Sequence, residues 1–440
     1  MNQLQHPDRS IPTGYTTGPR LPSRTVPPHP TKTDSDVRKE TLMSTLPRRR
    51  LVAGIAAAAA ASLALTGCST GLDEADAGTT EGAGDDSALE SGFGVCNDEP
   101  VDGIDLEGAL ELINRYQQPA DGLLISDPLT GPVDPTTTFA FVDNGTTVSA
   151  IMWEAFSDAA ETAGVSAERV NAGTDAQGIN SAFNSIVERP SDVVVAPAID
   201  PIFFADQIAT LEAAGTIVIS AATTNAEEFG LRDNFGGYGA SIENGAVLAA
   251  AAIAMTCGQD TEFVFYNIPE FAFSQVQLSA AEEALEGFCG GACNLRVVDI
   301  PVGQMATGGP DAVLSDLQAH PETAAFITPV DELQVGLPAK MDLAGISVPG
   351  LGQSSTPPNV EQIMNGTQAG GFAVDLTMFM WLLLDQGLRL DQDMTYPELD
   401  WAEINPNLST ILTRDNAEEA LDGYISVPTY RDDFSALWGV

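Results

Sequence analysis

From residue 137 onward the chain alternates between two hydrophobic rhythms. The runs Thr137–Val142, Asp192–Pro197 and Thr216–Ser220 are almost uniformly apolar, as strands buried on both faces are. Between them lie stretches whose apolar residues recur every three or four positions. Val148 to Gly164 places Val148, Met152, Phe156 and Ala159 on one helical face and stops at a glycine. Gln177 to Glu188 repeats this with Ile179, Phe183 and Ile186. Arg169–Ala172 reads as a short strand between those helices, and Phe203 to Gly215 as the helix that follows.

The alternation then resumes. Helices are predicted over Glu243 to Thr256, Ser274 to Phe288, Pro310 to Ala319 and Leu333 to Leu343, and strands over Glu262–Tyr266, Leu295–Ile300 and Ala325–Thr328. Ser347–Leu351 and Ala369–Val374 read as further strands, and Leu376 to Leu388 as a strongly apolar helix. Strands and helices alternating in this way predict an α/β fold of two doubly wound parallel-sheet lobes. Ligands of such sheets bind outside the strands' C-terminal ends, so two facing lobes place a site in the cleft between them.

Charge sharpens the picture. The 440 residues carry 18 Lys and Arg against 62 Asp and Glu, a net charge of −44. Nine of the 18 basic and four of the 62 acidic residues precede Cys68, which leaves nine against 58 from there on. A surface this acidic repels phosphate backbones and excludes nucleic acid as a partner. The carboxylates are spread along the chain, which is the pattern of a solvated, salt-tolerant surface.

The N-terminal region reads as export machinery. Residues 1–42 are polar and unpatterned, as in an extension upstream of the true start at Met43. Residues 43–67 form a signal peptide: Arg48-Arg49-Arg50, then an apolar run from Val52 to Leu65 too short for a stable span. Leu65-Thr66-Gly67-Cys68 resembles a bacterial lipobox, which implies lipidation of Cys68 and a membrane anchor. Either the general secretory or the twin-arginine route fits the arginines. Residues 68–95, rich in Gly, Asp, Glu and Thr, form a tether. Residues 96–135 form a transition, with helical spacing over Leu106–Tyr116.

Four cysteines remain beside Cys68, an even number suited to an oxidising compartment. Cys289 and Cys293 flank a loop short enough to close a local disulfide, and Cys96 with Cys257 then pair by elimination. Four cysteines allow three connectivities, and their spacing fits zinc poorly.

Over residues 136–440 the order of segments resembles the type I periplasmic-binding-protein family of ribose and galactose binders. The resemblance is carried by Thr174-Asp175-Ala176-Gln177, the strand ending in Pro197 with Asp200 after it, and Ala213-Ala214-Gly215 before the next strand. It continues through Gly239…Asn244-Gly245, His320-Pro321-Glu322, Asp331…Gly336 and Leu412-Thr413-Arg414-Asp415-Asn416. Where the family places an arginine, Gln275 and Gln277 stand here. The resemblance implies a first lobe of about 136–221 and 375–411 and a second of about 222–374 and 412–440. It also implies three crossovers, near 220–222, 374–375 and 412–414. The expected function is an extracellular, lipid-anchored, monomeric binder of a small polar solute, a sugar or polyol, serving an ABC permease and its ATPase. A sensor module is the alternative, and a carboxylate-based glycoside hydrolase a weaker one.

A sugar pocket needs amides and carboxylates for hydroxyls and aromatic faces for C–H edges. The candidates in the first lobe are Asp143, Asn144, Thr146, Asp200, Thr223 and Thr224. In the second they are Asn267, Phe271, Phe273, Gln275, Asp331 and Gln353, with Asp375 at the hinge. Asp200, Asp331 and Asp375 also precede helices and could serve as caps instead. The region after Cys68 has one histidine, His320, which leaves no Ser-His-Asp, Cys-His or multi-histidine metal arrangement. No phosphate-cradling glycine loop is present either. No catalytic residue, cofactor or metal is expected.

Overall fold

In the computed structural model, residues 89–233, 236–305, 307–396 and 399–440 are described. The leader, Cys68 and most of the tether lie outside them. Strand Thr138–Asp143 lies inside a five-stranded parallel sheet, between Ser166–Asn171 and Val193–Pro197. Ile217–Ala221 and the short Arg232–Asp233 complete the sheet. The second sheet has four parallel strands in the order Gly350–Gly352, Ala325–Thr328, Glu262–Asn267, Asn294–Asp299. Two antiparallel strands, Gly371–Val374 and Ser409–Leu412, form a ribbon that a Gln353–Phe372 bridge joins to the second sheet's edge. The doubly wound α/β architecture expected from the sequence is present in both lobes.

Local chemistry explains where the helices begin and end. Thr146 caps Thr147–Ala163 by accepting the Ser149 N–H at 3.1 Å, and Gly164 stops it in the left-handed region at φ 77°. Asp175 caps Ala176–Glu188 through the Gly178 N–H at 2.8 Å. Tyr238–Met255 is long and apolar enough to cross a membrane, yet 67% of its most apolar window is buried in the protein. It is the central core helix of the second lobe.

Residues 96–135 are less of a transition than their composition suggests. Leu106, Leu110, Ile113 and Tyr116 belong to the second lobe's core, and Cys96 is disulfide-bonded to Cys257 just beyond the core helix. Ile125 belongs to the first lobe's core. Cys289 and Cys293 form the other disulfide.

The chain passes between lobes at Val374–Asp375, around residues 408–411, and after Arg232–Asp233 rather than near 220–222, because that short strand pairs with Ile219 and Ser220 and Ala226 and Leu231 pack in the first lobe's core. It also passes between them at residues 116–125 and 420–427. The C-terminal residues 412–440, expected in the second lobe throughout, therefore divide. Ala417 and Ala420 pack on Val360 and Ile363 of the second lobe. The last helix, Tyr430–Trp438, returns to the first lobe. There Trp438 stacks on Trp381 with ring centroids 5.3 Å apart and donates its indole N–H to Asp385 at 2.9 Å. Burying two indoles outweighs continuation of the chain along the second lobe.

Candidate ligand-binding cleft

The strand ends of both sheets open onto a cleft between the lobes. On the first-lobe side it is lined by Asn144 and Thr146. Asn144 Oδ1 accepts from the Thr146 N–H at 3.1 Å and hydroxyl at 2.8 Å, so the loop holds its shape without a ligand. Ala198 and Ala222, after neighbouring strands, also line it. Both occupy the left-handed region, at φ 53° and 52°. Non-glycine residues held there cost free energy and cluster at functional sites.

The second-lobe wall is built around amides. At Gly245 the core helix meets Ala272–Cys289, where an added Cβ would stand 2.8 Å from Ala280 Cβ. That close approach brings Asn244 and Gln277 to one acceptor. Gln353 Oε1 accepts from Asn244 Nδ2 at 3.0 Å and from Gln277 Nε2 as well. Asn405 Nδ2 donates to Asn244 Oδ1 at 2.7 Å and to the Tyr116 hydroxyl at 3.1 Å. All four amides line the cleft.

Between these polar groups the surface is hydrocarbon. Val148, Met152, Val330 and Leu376 contribute to it, and Phe271 stacks on Phe273 at 5.0 Å. Phe379 and Trp401 add two more rings. The one carboxylate among the lining residues is Glu332, only 6% exposed. Its Oε1 accepts from the Thr147 hydroxyl of the first lobe at 2.9 Å, and its Oε2 has no hydrogen-bond partner. Burial raises its pKa, against the bond from Thr147.

Of the candidates read from sequence, the cleft gathers Asn144, Thr146, Phe271, Phe273 and Gln353. The rest do other work. Asp143 holds Arg169, Nε to Oδ2 at 2.8 Å, and is turned from the cleft. Burial opposes its ionisation, but bonds from Ser149, Gly145 and Arg169 prevail and hold its pKa below the usual range. Thr223 shares a 3.1 Å hydroxyl bond with Ser220, and Gln275 donates to Asn267 at 3.0 Å. Asn267 itself donates to Asp299 at 2.7 Å; it, Thr223, Thr224 and Gln275 all stand off the cleft lining.

The three aspartates behave as caps or buried acceptors. Asp200 takes the Ile202 N–H at 3.0 Å and Asn225 Nδ2 at 2.8 Å. It borders a recess that shares Asn144, Thr146, Ala198 and Phe271 with the cleft. Asp375 caps Leu376–Asp391 through the Met378 N–H at 2.7 Å and binds Ser426. Asp331 lies behind the wall formed by Val330 and Glu332. It accepts from Ser355 at 2.6 Å, Gln334 at 2.7 Å and Gln368 at 3.0 Å. Burial pushes its pKa up to about 7 in spite of those bonds. A carboxylate at a strand's end is equally suited to a hydroxyl and to a helix's free N–H groups; here helix N–H groups take Asp200 and Asp375, and side-chain donors take Asp331.

Asn244, Gln277, Glu332 and Asn405 are polar cleft residues that the sequence candidates leave out. Glu332 sits beside Asp331, and only the direction of the 3-10 turn Asp331–Gln334 separates the exposed-to-cleft acid from the hidden one. Asn405 and Trp401 are four apart on helix Trp401–Leu408, whose Pro406 obscures its helical pattern. Among the described residues no group of three or more His, Cys, Asp or Glu could hold a metal.

Two lobes of parallel sheet with a cleft at their strand ends define the fold of periplasmic solute-binding proteins. A solved solute-binding protein of an ABC transporter from Actinobacillus succinogenes 130z, with bound D-allose, has that fold. It matches at 13% identity and TM-score 0.54 over 64% of this chain and 100% of its own. One from Agrobacterium vitis with bound allitol matches at 12% identity and TM-score 0.56, over 65% of this chain and 98% of its own. One from Burkholderia graminis C4D1M in complex with D-arabinose matches at 14% identity and TM-score 0.56, over 65% and 98%. No protein-family model matches the chain, and no curated protein matches it in sequence.

Proposed function

We propose that the protein is a non-enzymatic solute-binding protein that captures a small polar ligand, a sugar or related molecule, for an ABC importer. The observation that carries this reading is the amide cluster of Asn244, Gln277, Gln353 and Asn405 facing Asn144 and Thr146 across the cleft. Amides both donate and accept, as hydroxylated ligands require. Aromatic faces beside them suit C–H edges. Hinge closure around the solute is the working motion. The neighbours bound to D-allose, allitol and D-arabinose support the same class of ligand. The signal segment and Cys68 extend the reading to an exported, lipid-anchored monomer presented to a permease and its ATPase. The test is a thermal-shift and calorimetric screen of sugars, polyols, nucleosides and amino acids. Saturable one-to-one binding without turnover is expected, and hydrolysis of a bound glycoside would replace this reading with an enzyme.

A further inference from the structure

The acceptor atoms left over in the cleft point to the charge of its ligand. Glu332 Oε2 and Gln277 Oε1 are buried without partners, and both residues line the cleft. Glu332 and Gln277 are 6% and 0% exposed. Unpaired buried acceptors are costly, a charged one most of all, unless a donor arrives with the ligand. Among the described residues lining the cleft there is no Lys, Arg or His to supply a countercharge.

The rings around these acceptors narrow the choice further. One hydroxyl gives Glu332 a single neutral donor. A protonated amine gives three donors and cancels the charge, and the neighbouring rings of Phe271 and Phe273 favour a cation. The acidic surface raises the local concentration of cations and lowers that of anions.

We propose that the cleft selects a small ligand bearing a protonated amino group, such as an amino sugar, with the ammonium held by Glu332 and the Gln277 carbonyl. The inference rests on the solute-capture reading and names its ligand class. It is tested by calorimetry of the full chain with matched cationic, neutral and anionic probes: D-glucosamine, D-glucose and D-glucuronate, and the corresponding galactose series. Each amine is expected to bind at least tenfold tighter than its neutral twin, and the uronates not to bind. Glu332→Gln, which keeps an acceptor for Thr147, should erase the amine's advantage over its neutral twin. A melting scan of the variant reports that it is folded. A neutral sugar binding as tightly as its amine overturns the inference and leaves solute capture standing. An amine preference that survives in Glu332→Gln also overturns it. If no member of either series binds, the inference falls, and the wider screen of sugars, polyols, nucleosides and amino acids decides solute capture separately.

Discussion

The Thr147 hydroxyl donates to Glu332 Oε1 at 2.9 Å, and the two residues belong to opposite lobes. Thr147 is the first residue of the helix that Thr146 caps, so its position is set by the same loop that presents Asn144. Ala198, from the first lobe, packs against the second lobe's cluster around Phe271 and Met305. The lobes therefore meet on the far side of the cleft from the hinge, which is the closed arrangement of such a fold.

Removing the hydroxyl while keeping its shape tests that contact. Thr147→Val should weaken solute affinity about tenfold, or about 1.4 kcal/mol, because closure then buries Glu332 with no donor from the protein. The loss should lie mainly in faster dissociation, measured by surface plasmon resonance. Melting of the ligand-free protein should be nearly unchanged, since the core on either side is untouched.

Asp200 offers the opposite signature. Its carboxylate satisfies Ile202 N–H and Asn225 rather than the main cleft. Asp200→Ala should lower stability by about 1 kcal/mol, the usual cost of losing a helix cap, and leave solute affinity within threefold. Calorimetry and a denaturant titration on the same preparation separate the two effects. A tenfold loss of affinity at unchanged stability would return Asp200 to the list of ligand contacts.

These two residues show which parts of the molecule are readable from sequence. The central strands, such as Val193–Pro197 and Ala325–Thr328, are continuous apolar runs because helices cover both faces of each sheet, and that pattern is local. The ends of the domain are not readable in this way. The helix Tyr430–Trp438 carries little beyond Phe434 and Trp438 to say which lobe it joins, and the answer lies in Trp381, some 50 residues earlier. Site residues suffer from a related ambiguity. Asp331 and Glu332 are adjacent and chemically alike, and one is buried in a hydrogen-bond cage while the other faces the cleft. Sequence position locates the loop; tertiary packing decides which way each side chain turns.

Asp331 also makes stability depend on pH. Its pKa is about 7 in the fold, raised chiefly by burial, against about 3.9 for an unfolded Asp. A raised carboxylate binds its proton more tightly when folded than when unfolded. Its contribution is therefore fully present below about pH 4 and declines as pH rises through the window to about 7, then levels off. Each pH unit in that window removes about 1.4 kcal/mol of this group's contribution. Glu332, Asp375 and Asp385 are raised too, so the wild-type slope is a sum. The difference between wild type and Asp331→Asn isolates the residue: the variant's melting temperature should gain on the wild type steadily from pH 4 to pH 7. A difference independent of pH would mean that Asp331 keeps an ordinary pKa.

Gln353 carries the sharpest prediction about the cleft itself. Its Oε1 is the common acceptor for Asn244 and Gln277, and Asn244 in turn accepts from Asn405. Gln353→Leu fills a similar volume but strands two amide donors, at about 1–3 kcal/mol each if water cannot reach them. The amides would then turn away from the positions that face the solute. Affinity should fall at least tenfold and the melting temperature should drop. Gln353→Glu keeps an acceptor for both neighbours and so should retain the cluster's geometry and most of the stability. It also adds a second negative charge beside Gln277. If the solute is cationic, Gln353→Glu should bind it as tightly as the parent or more so; if the solute is neutral, it should bind more weakly. Calorimetry on the two variants with one solute separates the acceptor's structural role from its contact with the ligand. Equal, undiminished binding by both variants would remove the amide cluster from the site.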